Sequence, residues 1–158
     1  RNFNHPMLKS SLVINYFNYR KSWIVNAIFK PFDDPKKSKI PNFQGGSYYD
    51  IVPGKIFFNY EGKEYSFEPT VSSSGRYFIA FGDLTNGEST YGGGRFLYLD
   101  PPDLNNKLII DFNMAYNPPC VFSTFTTCPL PPKENILSVA ITAGELDYNG
   151  IQFSSVYE

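Results

Sequence analysis

The sequence predicts an all-β protein, an antiparallel β-barrel or sandwich with little helix and one long, ordered, proline-rich loop. The 158 residues include 15 Phe and 12 Tyr, and bulky rings favour strands. Apolar and polar residues alternate in short runs, whereas no longer stretch keeps the three-to-four-residue apolar spacing of a helix. The length suits a single domain, with residues 1–11 as a possible tail.

The strands follow from this alternation. Over residues 23–29, Trp23, Val25, Ala27 and Phe29 would share one mainly buried face. The clearest hairpin joins residues 55–60 to residues 64–68 across a short turn that contains Gly62. Further strands are predicted at residues 12–17, 47–51, 76–82, 95–99, 108–112 and 136–142.

Two stretches, residues 30–46 and residues 113–135, do not alternate in this way and are predicted to be loops. The second holds five prolines, so it cannot be a central strand and is predicted to lie over the sheet as an extended, ordered loop. Long loops in compact domains often carry function.

Charge narrows the possible partners. The formal net charge of −1 argues against nucleic acid, and no apolar run is long enough to cross a bilayer. The chain begins at Arg1, which suggests a processed or truncated product, so an exported or organellar location is possible. Residues 1–39 carry eight basic against two acidic side chains, a balance of +6. They could form a basic face for an acidic partner, or could be loop charges paired within the chain.

Four short blocks occur in order along the second half of the chain: Thr-Tyr-Gly-Gly-Gly-Arg-Phe at residues 90–96, Asp-Phe-Asn-Met-Ala-Tyr-Asn-Pro-Pro-Cys at 111–120, Thr-Cys-Pro-Leu-Pro-Pro-Lys-Glu-Asn at 127–135, and Ala-Gly-Glu at 143–145. With these blocks, residues 76–146 resemble a largely bacterial family catalogued as domain of unknown function sixteen-eighty-four. The resemblance implies a shared β-rich fold and a shared polar cluster. The family supplies no established activity, so the residues must be judged on their chemistry.

Arg95 is the centre of the predicted site. It would share a strand face with Leu97 and Leu99, and a guanidinium there must be paired because an isolated buried charge is too costly. We therefore predict that it points into the molecule and pairs with at least one of Asp83, Asp111, Glu134 and Glu145. The side chains predicted to contact a ligand are Arg95, Asn113, Tyr116 and Asn135.

The carboxylates have alternative roles. Asp83, Glu88, Asp111, Glu134 and Glu145 could supply an acid and a base, as in glycoside-cleaving enzymes, or oxygen ligands for a hard cation. Equally, they could cap turns and tie the long loop to the barrel.

The two cysteines, Cys120 and Cys128, are predicted to lie close enough to touch, as a disulfide or as two buried thiols. A metal site is not predicted, because the spacing is not Cys-x-x-Cys and the sole histidine, His5, is far away in the sequence. No cofactor motif is recognised, since the three glycines before Arg95 lack the Gly-Lys-Ser/Thr ending of a phosphate loop.

The sequence favours a domain that binds a small polar ligand or a protein partner through the cluster around Arg95. A hydrolase-like enzyme with paired carboxylates and an accessory subunit of a larger assembly are the alternatives. A pocket enclosing two carboxyl groups would favour the enzyme. A filled interior with apolar side chains outside would favour the assembly subunit.

Overall fold

The computed structural model describes residues 13–123 and 126–150, and confirms the all-β prediction. The strands are β1 Ile24–Pro41, β2 Ser47–Tyr60, β3 Lys63–Phe67, β4 Thr70–Val71, β5 Tyr77–Phe81, β6 Arg95–Leu99 and β7 Lys107–Asp111. Short 3-10 helices lie at Lys21–Trp23, Phe112–Met114, Pro119–Val121 and Lys133–Asn135. Within the described part of the chain, 47% of residues are in strands or isolated β-bridges and no helix reaches seven residues.

The strands form two antiparallel sheets that curl into a half-barrel. The first has the order β3-β2-β1-β7 and the second the order β4-β5-β6. The core between them is largely aromatic: Phe67 packs at ring-centroid distances of 5.5 Å from Phe58, 5.8 Å from Phe81 and 6.2 Å from Phe112. Many phenylalanines of the sequence therefore pack against one another in the core.

The predicted hairpin is present between β2 and β3. Tyr60 pairs with Lys63 across Glu61 and Gly62, whose φ angles are +49° and +78°. Two central residues with positive φ match the right-handed twist of the flanking strands, and glycine adopts this conformation without steric cost. At the start of β1, Trp23 and Ala27 are buried on the face predicted for them.

The prediction of a loop over residues 30–46 is wrong, because β1 continues to Pro41. The two strands predicted at residues 47–51 and 55–60 are also one continuous strand, β2. Because β7 pairs only with residues 24–28, the rest of β1 is an edge, where prolines cost no ladder hydrogen bond.

A bulge in β1 changes which side chains face the core. Pro31 pairs with Gly54 and Lys36 with Val52, so β1 carries three more residues than β2 over this interval. An odd number of extra residues reverses the alternation. Odd-numbered side chains of β1 face inward before the bulge, and even-numbered ones, such as buried Ile40, face inward after it.

Two further strand predictions are wrong. In the segment predicted at residues 12–17, of which residue 12 lies outside the described residues, Tyr16 makes an isolated bridge to Glu145. Over residues 136–142, Ile136 makes one parallel bridge to Gly82 and no strand forms. The backbone carbonyl and N–H of Ile141 bond the side chains of Arg95 and Asp83 in place of a strand partner. The two-residue strand β4 was too short to give a recognisable sequence pattern.

The described part of the proline-rich stretch, residues 113–123 and 126–135, is an ordered loop against the second sheet, as predicted. It is fixed by a bridge from Tyr116 to Phe96 of β6, and by a second bridge near the β1–β2 turn. Cys120 and Cys128 form a disulfide with a Cα–Cα distance of 6.2 Å, which confirms that the cysteines touch. Among the described residues there is no helix with the length and apolarity that membrane crossing requires.

We expect Gly54→Ala to destabilise the protein by about 2 kcal/mol or more, because an added Cβ would overlap the Lys30 carbonyl and lie 2.6 Å from the Phe29 ring. Gly92→Ala is the matched control, since the nearest atom to its added Cβ is 3.9 Å away. Its effect should be within about 0.5 kcal/mol. Urea unfolding of both variants tests this, and equal losses would contradict the close approach at Gly54.

Candidate functional site

Arg95 begins β6 and its side chain is fully buried. The Nη2 group donates hydrogen bonds to the Ile141 carbonyl at 2.9 Å and to Asp83 Oδ2 at 3.3 Å. The Nη1 group donates to the carbonyls of Ala143 and, at 3.3 Å, Glu145. The guanidinium therefore bonds three carbonyls of one segment, residues 141–145, and attaches this segment to β6 without a strand ladder. The predicted pairing with a carboxylate is present, and the partner is Asp83.

Asp83 is held by more than this ion pair. Its Oδ2 also accepts a hydrogen bond from the Ile141 backbone N–H at 2.7 Å. Its Oδ1 accepts one from the Thr85 hydroxyl at 2.7 Å, and that hydroxyl lies 2.8 Å from the Thr90 hydroxyl. Both carboxylate oxygens are therefore bonded within the protein, in a position shielded from solvent.

The local sequence explains why Arg95 can reach this position. Gly94, with a φ of +86°, turns the chain into β6, and a Cβ there would lie 2.5 Å from the Phe81 carbonyl and 2.7 Å from Pro131. Only glycine allows this approach. The Arg95 guanidinium lies 5.4 Å from the centre of the Phe81 ring. The space beside Gly94 is thus occupied by the protein itself.

Glu145 approaches the cluster mainly through its backbone. Its carboxylate accepts a hydrogen bond from the Asn117 backbone N–H at 2.9 Å, whereas its carbonyl contacts Arg95. Burial raises the pKa of Glu145, and this outweighs the lowering by the bonds to Asn117 and by the charge of Arg95. Burial likewise lowers the pKa of Arg95, against the opposing effect of Asp83. Both shifts show how costly charge is in this region.

Asp111 and Asn113 lie apart from Arg95. The Asp111 Oδ1 accepts hydrogen bonds from the Asn113 backbone at 3.0 Å and side chain at 2.9 Å, and so caps the helix Phe112–Met114. Asn113 also donates to the Arg20 carbonyl at 2.9 Å. These two candidates join the start of β1 to the end of β7.

Glu134 and Asn135 belong to a third group. The Asn135 side chain bonds the backbone N–H and carbonyl of Glu68, at 2.7 and 3.0 Å. The Lys36 Nζ lies 2.9 Å from a Glu68 carboxylate oxygen and 3.9 Å from one of Glu134. Glu68 and Asn135 line a cavity of about 20 Å³, which holds roughly one water molecule.

Tyr116, the remaining candidate, is half-buried and stacked on Tyr98 with ring centres 6.3 Å apart. Burial, with a smaller contribution from Tyr98, raises the pKa of Tyr116 to about 12. Its hydroxyl therefore stays protonated at neutral pH. Over residues 13–123 and 126–150, no three His, Cys, Asp or Glu side chains converge in a way that could hold a metal ion.

A larger depression lies elsewhere. A groove of about 690 Å³ is lined by β1, β7 and the loop that joins β6 to β7, and neither Arg95 nor Asp83 contributes to it. Its lining residues are Asn26, Ala27, Ile28, Asp100, Pro101, Asp103, Lys107, Leu108 and Ile109.

The groove opens onto a surface that the sequence analysis missed. On the outer side of the first sheet, isoleucines, two aromatic rings and five lysines alternate across the strands. We call this surface the basic–apolar face; it consists of Ile24, Ile28, Lys30, Lys37 and Lys39 of β1, Tyr49, Ile51, Lys55 and Phe57 of β2, and Lys107 and Ile109 of β7.

The strand register brings these side chains together. Ile28 lies opposite Phe57 on β2 and opposite Lys107 on β7. Lys30 lies opposite Lys55, and the ammonium groups of both lie near the Phe57 ring, 4.9 and 5.8 Å from its centre. The odd positions of β2 belong to this face, but Pro53 and Gly54 made the strand look interrupted in the sequence.

Comparison with known proteins identifies the family. A family model described as a protein of unknown function, DUF1684, matches residues 12–146. The chain belongs to this family. Because the match covers most of the chain, the resemblance inferred from the four sequence blocks is confirmed. Among curated proteins, none matches the chain.

A solved relative supports the DUF1684 fold. The chain is similar to the solution NMR structure of an uncharacterized protein of Haloarcula marismortui, with 28% sequence identity and a TM-score of 0.71. The similarity covers 90% of this chain and 80% of that protein. Neither the family nor this relative has an assigned activity.

We expect Arg95→Ala to destabilise the fold by about 3–5 kcal/mol, because it leaves the Asp83 carboxylate buried and unpaired. Arg95→Lys should rescue only part of this loss, since an ammonium cannot reach three carbonyls as a planar fork does. The control is Arg76→Ala, which breaks an exposed pair with Asp100 and should cost less than about 1 kcal/mol. Equal losses for Arg76 and Arg95 in denaturant unfolding would contradict the buried pair.

Glu145 should make stability depend on pH. Because its folded-state pKa is raised, its contribution to stability is complete below its ordinary pKa of 4.5 and is lost as the pH rises through the raised value. We therefore expect Glu145→Gln to gain stability relative to the wild type as the pH rises above about 4.5. Glu88→Gln, at an exposed position, controls for the lost charge. A difference between Glu145→Gln and wild type that falls with rising pH would reverse the sign and reject the prediction.

Proposed function

We propose that the protein is a partner-binding domain that docks an acidic protein through the basic–apolar face. The observation that carries this proposal is the set of exposed isoleucines among five lysines on one side of the sheet, with Asp111 at the rim opposite Ile24. Ile28 is 52% exposed, Ile109 is 59% exposed and Ile51 is 50% exposed. Exposed apolar side chains that are interspersed with polar ones are found at protein-binding surfaces.

The charge of the face supports an acidic partner. Its five lysines make no ion pair with a carboxylate in the part of the chain that the structure describes. Lys36, on the opposite side of the two-stranded ribbon formed by β1 and β2, does make such a pair. Like charges directly opposite each other on neighbouring strands are destabilising, as for Lys30 and Lys55. Acidic groups of a partner would relieve this repulsion.

The filled interior favours a protein partner over a small ligand. Ligand pockets commonly measure about 300–1,000 Å³, far more than the 20 Å³ cavity beside Glu68. The groove is large enough, but it opens onto the face and shares Ile28, Lys107 and Ile109 with it. It therefore extends the proposed docking surface.

The two acidic side chains in the groove wall are already engaged. Asp100 lies 3.4 Å from Arg76. Asp103 accepts hydrogen bonds from the backbone N–H groups of Asn105 at 2.8 Å and Lys107 at 2.9 Å. These two carboxylates should therefore repel an acidic segment of a partner less than two unbonded carboxylates would.

The dispersal of the candidate carboxylates gives the hydrolase alternative less support. Asp83 is paired with Arg95, Asp111 caps a turn, and Glu134 lies near Lys36. In this proposal the cluster around Arg95 stabilises the fold, and the basic–apolar face contacts the partner protein.

The proposal can be tested with an acidic amphipathic probe, a fluorescent peptide in which glutamate alternates with leucine. We expect Lys30→Glu to weaken its binding about tenfold, equivalent to about 1.4 kcal/mol, because one attraction becomes a repulsion. Lys133→Glu, an exposed lysine on the helix Lys133–Asn135, is the control with the same charge change and should bind normally. Fluorescence anisotropy at fixed ionic strength measures both.

The apolar part of the face has its own control. Ile28→Ser should weaken peptide binding, whereas Ile136→Ser, at a position 59% exposed but outside the face, should not. Equal effects of the paired variants, or binding of oligonucleotides or anionic vesicles in place of the peptide, would overturn the proposal.

A further inference from the structure

We infer that oxidation of Cys120 and Cys128 positions the far half of the basic–apolar face, so that the protein becomes competent for its partner only once the disulfide has formed. The far half comprises Lys37, Lys39, Tyr49 and Ile51. This inference rests on the proposed function, because it concerns how the same face is presented.

The turn that joins β1 to β2 is fixed to the disulfide loop by its backbone. The Phe43 N–H donates to the Cys128 carbonyl at 2.9 Å, and the Leu130 N–H donates to the Pro41 carbonyl at 2.8 Å. Asn42 and Pro129 form a bridge between these two bonds. The hairpin tip therefore extends a short ladder onto the residues that follow Cys128.

The Gln44 side chain connects the same turn to both cysteines. Its amide nitrogen donates to Cys120 Sγ at 3.1 Å and to the Thr126 carbonyl. Its amide oxygen accepts from the Cys128 N–H at 3.3 Å. One side chain thus reaches both ends of the loop that the disulfide closes, and its bonds require the cysteines to stay at their present separation.

The far half of the ribbon needs this support. Beyond the bulge, β1 pairs with β2 alone, because β7 pairs only with residues 24–28. A two-stranded ribbon is marginally stable by itself in water. On its inner side, the tip is held by buried Ile40 and by the Lys36–Glu68 pair. Without the disulfide, residues 120–128 regain conformational freedom and the contacts at the turn weaken.

The chemistry favours a single maturation step over a reversible switch. Oxidation removes two protons and two electrons from the two thiols, and a disulfide donor such as oxidised glutathione accepts the electrons and becomes two reduced thiols. Once formed, the bond is buried, with Cys120 4% and Cys128 3% exposed. An attacking thiolate needs access to one of the sulfurs, so burial protects the bond from later reduction.

The test compares the oxidised wild type with two variants, Cys120→Ser combined with Cys128→Ser, and Gln44→Ala with its disulfide intact. Amide hydrogen exchange is followed by mass spectrometry, and binding by the glutamate–leucine peptide. We expect exchange over residues 37–51 to be about tenfold faster in the double variant, and increased to a smaller extent in Gln44→Ala. Exchange in β7, which lies outside the core cluster of the two cysteines, should be unchanged, and the peptide should bind the double variant several-fold more weakly than the wild type.

The outcomes separate this inference from the proposed function. Unchanged exchange over residues 37–51 in both variants would overturn the inference, whatever the peptide does. Failure of the peptide to bind the oxidised wild type would instead reject the proposed function. If the double variant also loses protection in β7, then Gln44→Ala decides, because its disulfide is intact: a local increase at the hairpin supports the inference, and no increase rejects it.

Discussion

The buried ion pair of Arg95 and Asp83 is the interaction on which the rest of the structure depends. A guanidinium with no solvent exposure is tolerated only because a carboxylate and three backbone carbonyls surround it. Those carbonyls belong to alternate residues of the segment after the proline-rich loop. Arg95 therefore attaches this segment to β6 without a strand ladder, and Asp83 completes the attachment by accepting the Ile141 N–H.

The second constraint is the bulge between Pro31 and Lys36. Because it reverses the alternation of β1, Lys36 turns towards Glu68 on the inside while Lys37 and Lys39 turn outward. The same ribbon can then close over the second sheet and still present lysines along its outer side. The basic–apolar face and the packing of the hairpin tip are thus two results of one irregularity.

The sequence predicted the features that depend on local chemistry or on the cost of burying charge. The turn at Gly62, the contact of Cys120 with Cys128 and the inward pairing of Arg95 are of this kind. It could not show that Asp111 and Glu134 lie apart from Arg95, because this depends on which strand ends meet. It also missed the full length of β1 and β2, since prolines that exclude a central strand are compatible with an edge. The segment at residues 136–142 looked like a strand, but it makes a single bridge at Ile136, and the backbone of Ile141 bonds the side chains of Arg95 and Asp83.

The opposition of Lys30 and Lys55 also bears on how copies of this protein meet one another. Exposed isoleucines on a sheet invite self-association, which would bury the face against another copy of itself. Two such faces brought together would juxtapose the lysines of both copies, and the mutual repulsion of these charges would oppose the contact. The lysine charges that favour an acidic partner thus also oppose self-association of the protein. They keep the exposed isoleucines of the face available to a different protein in a crowded solution.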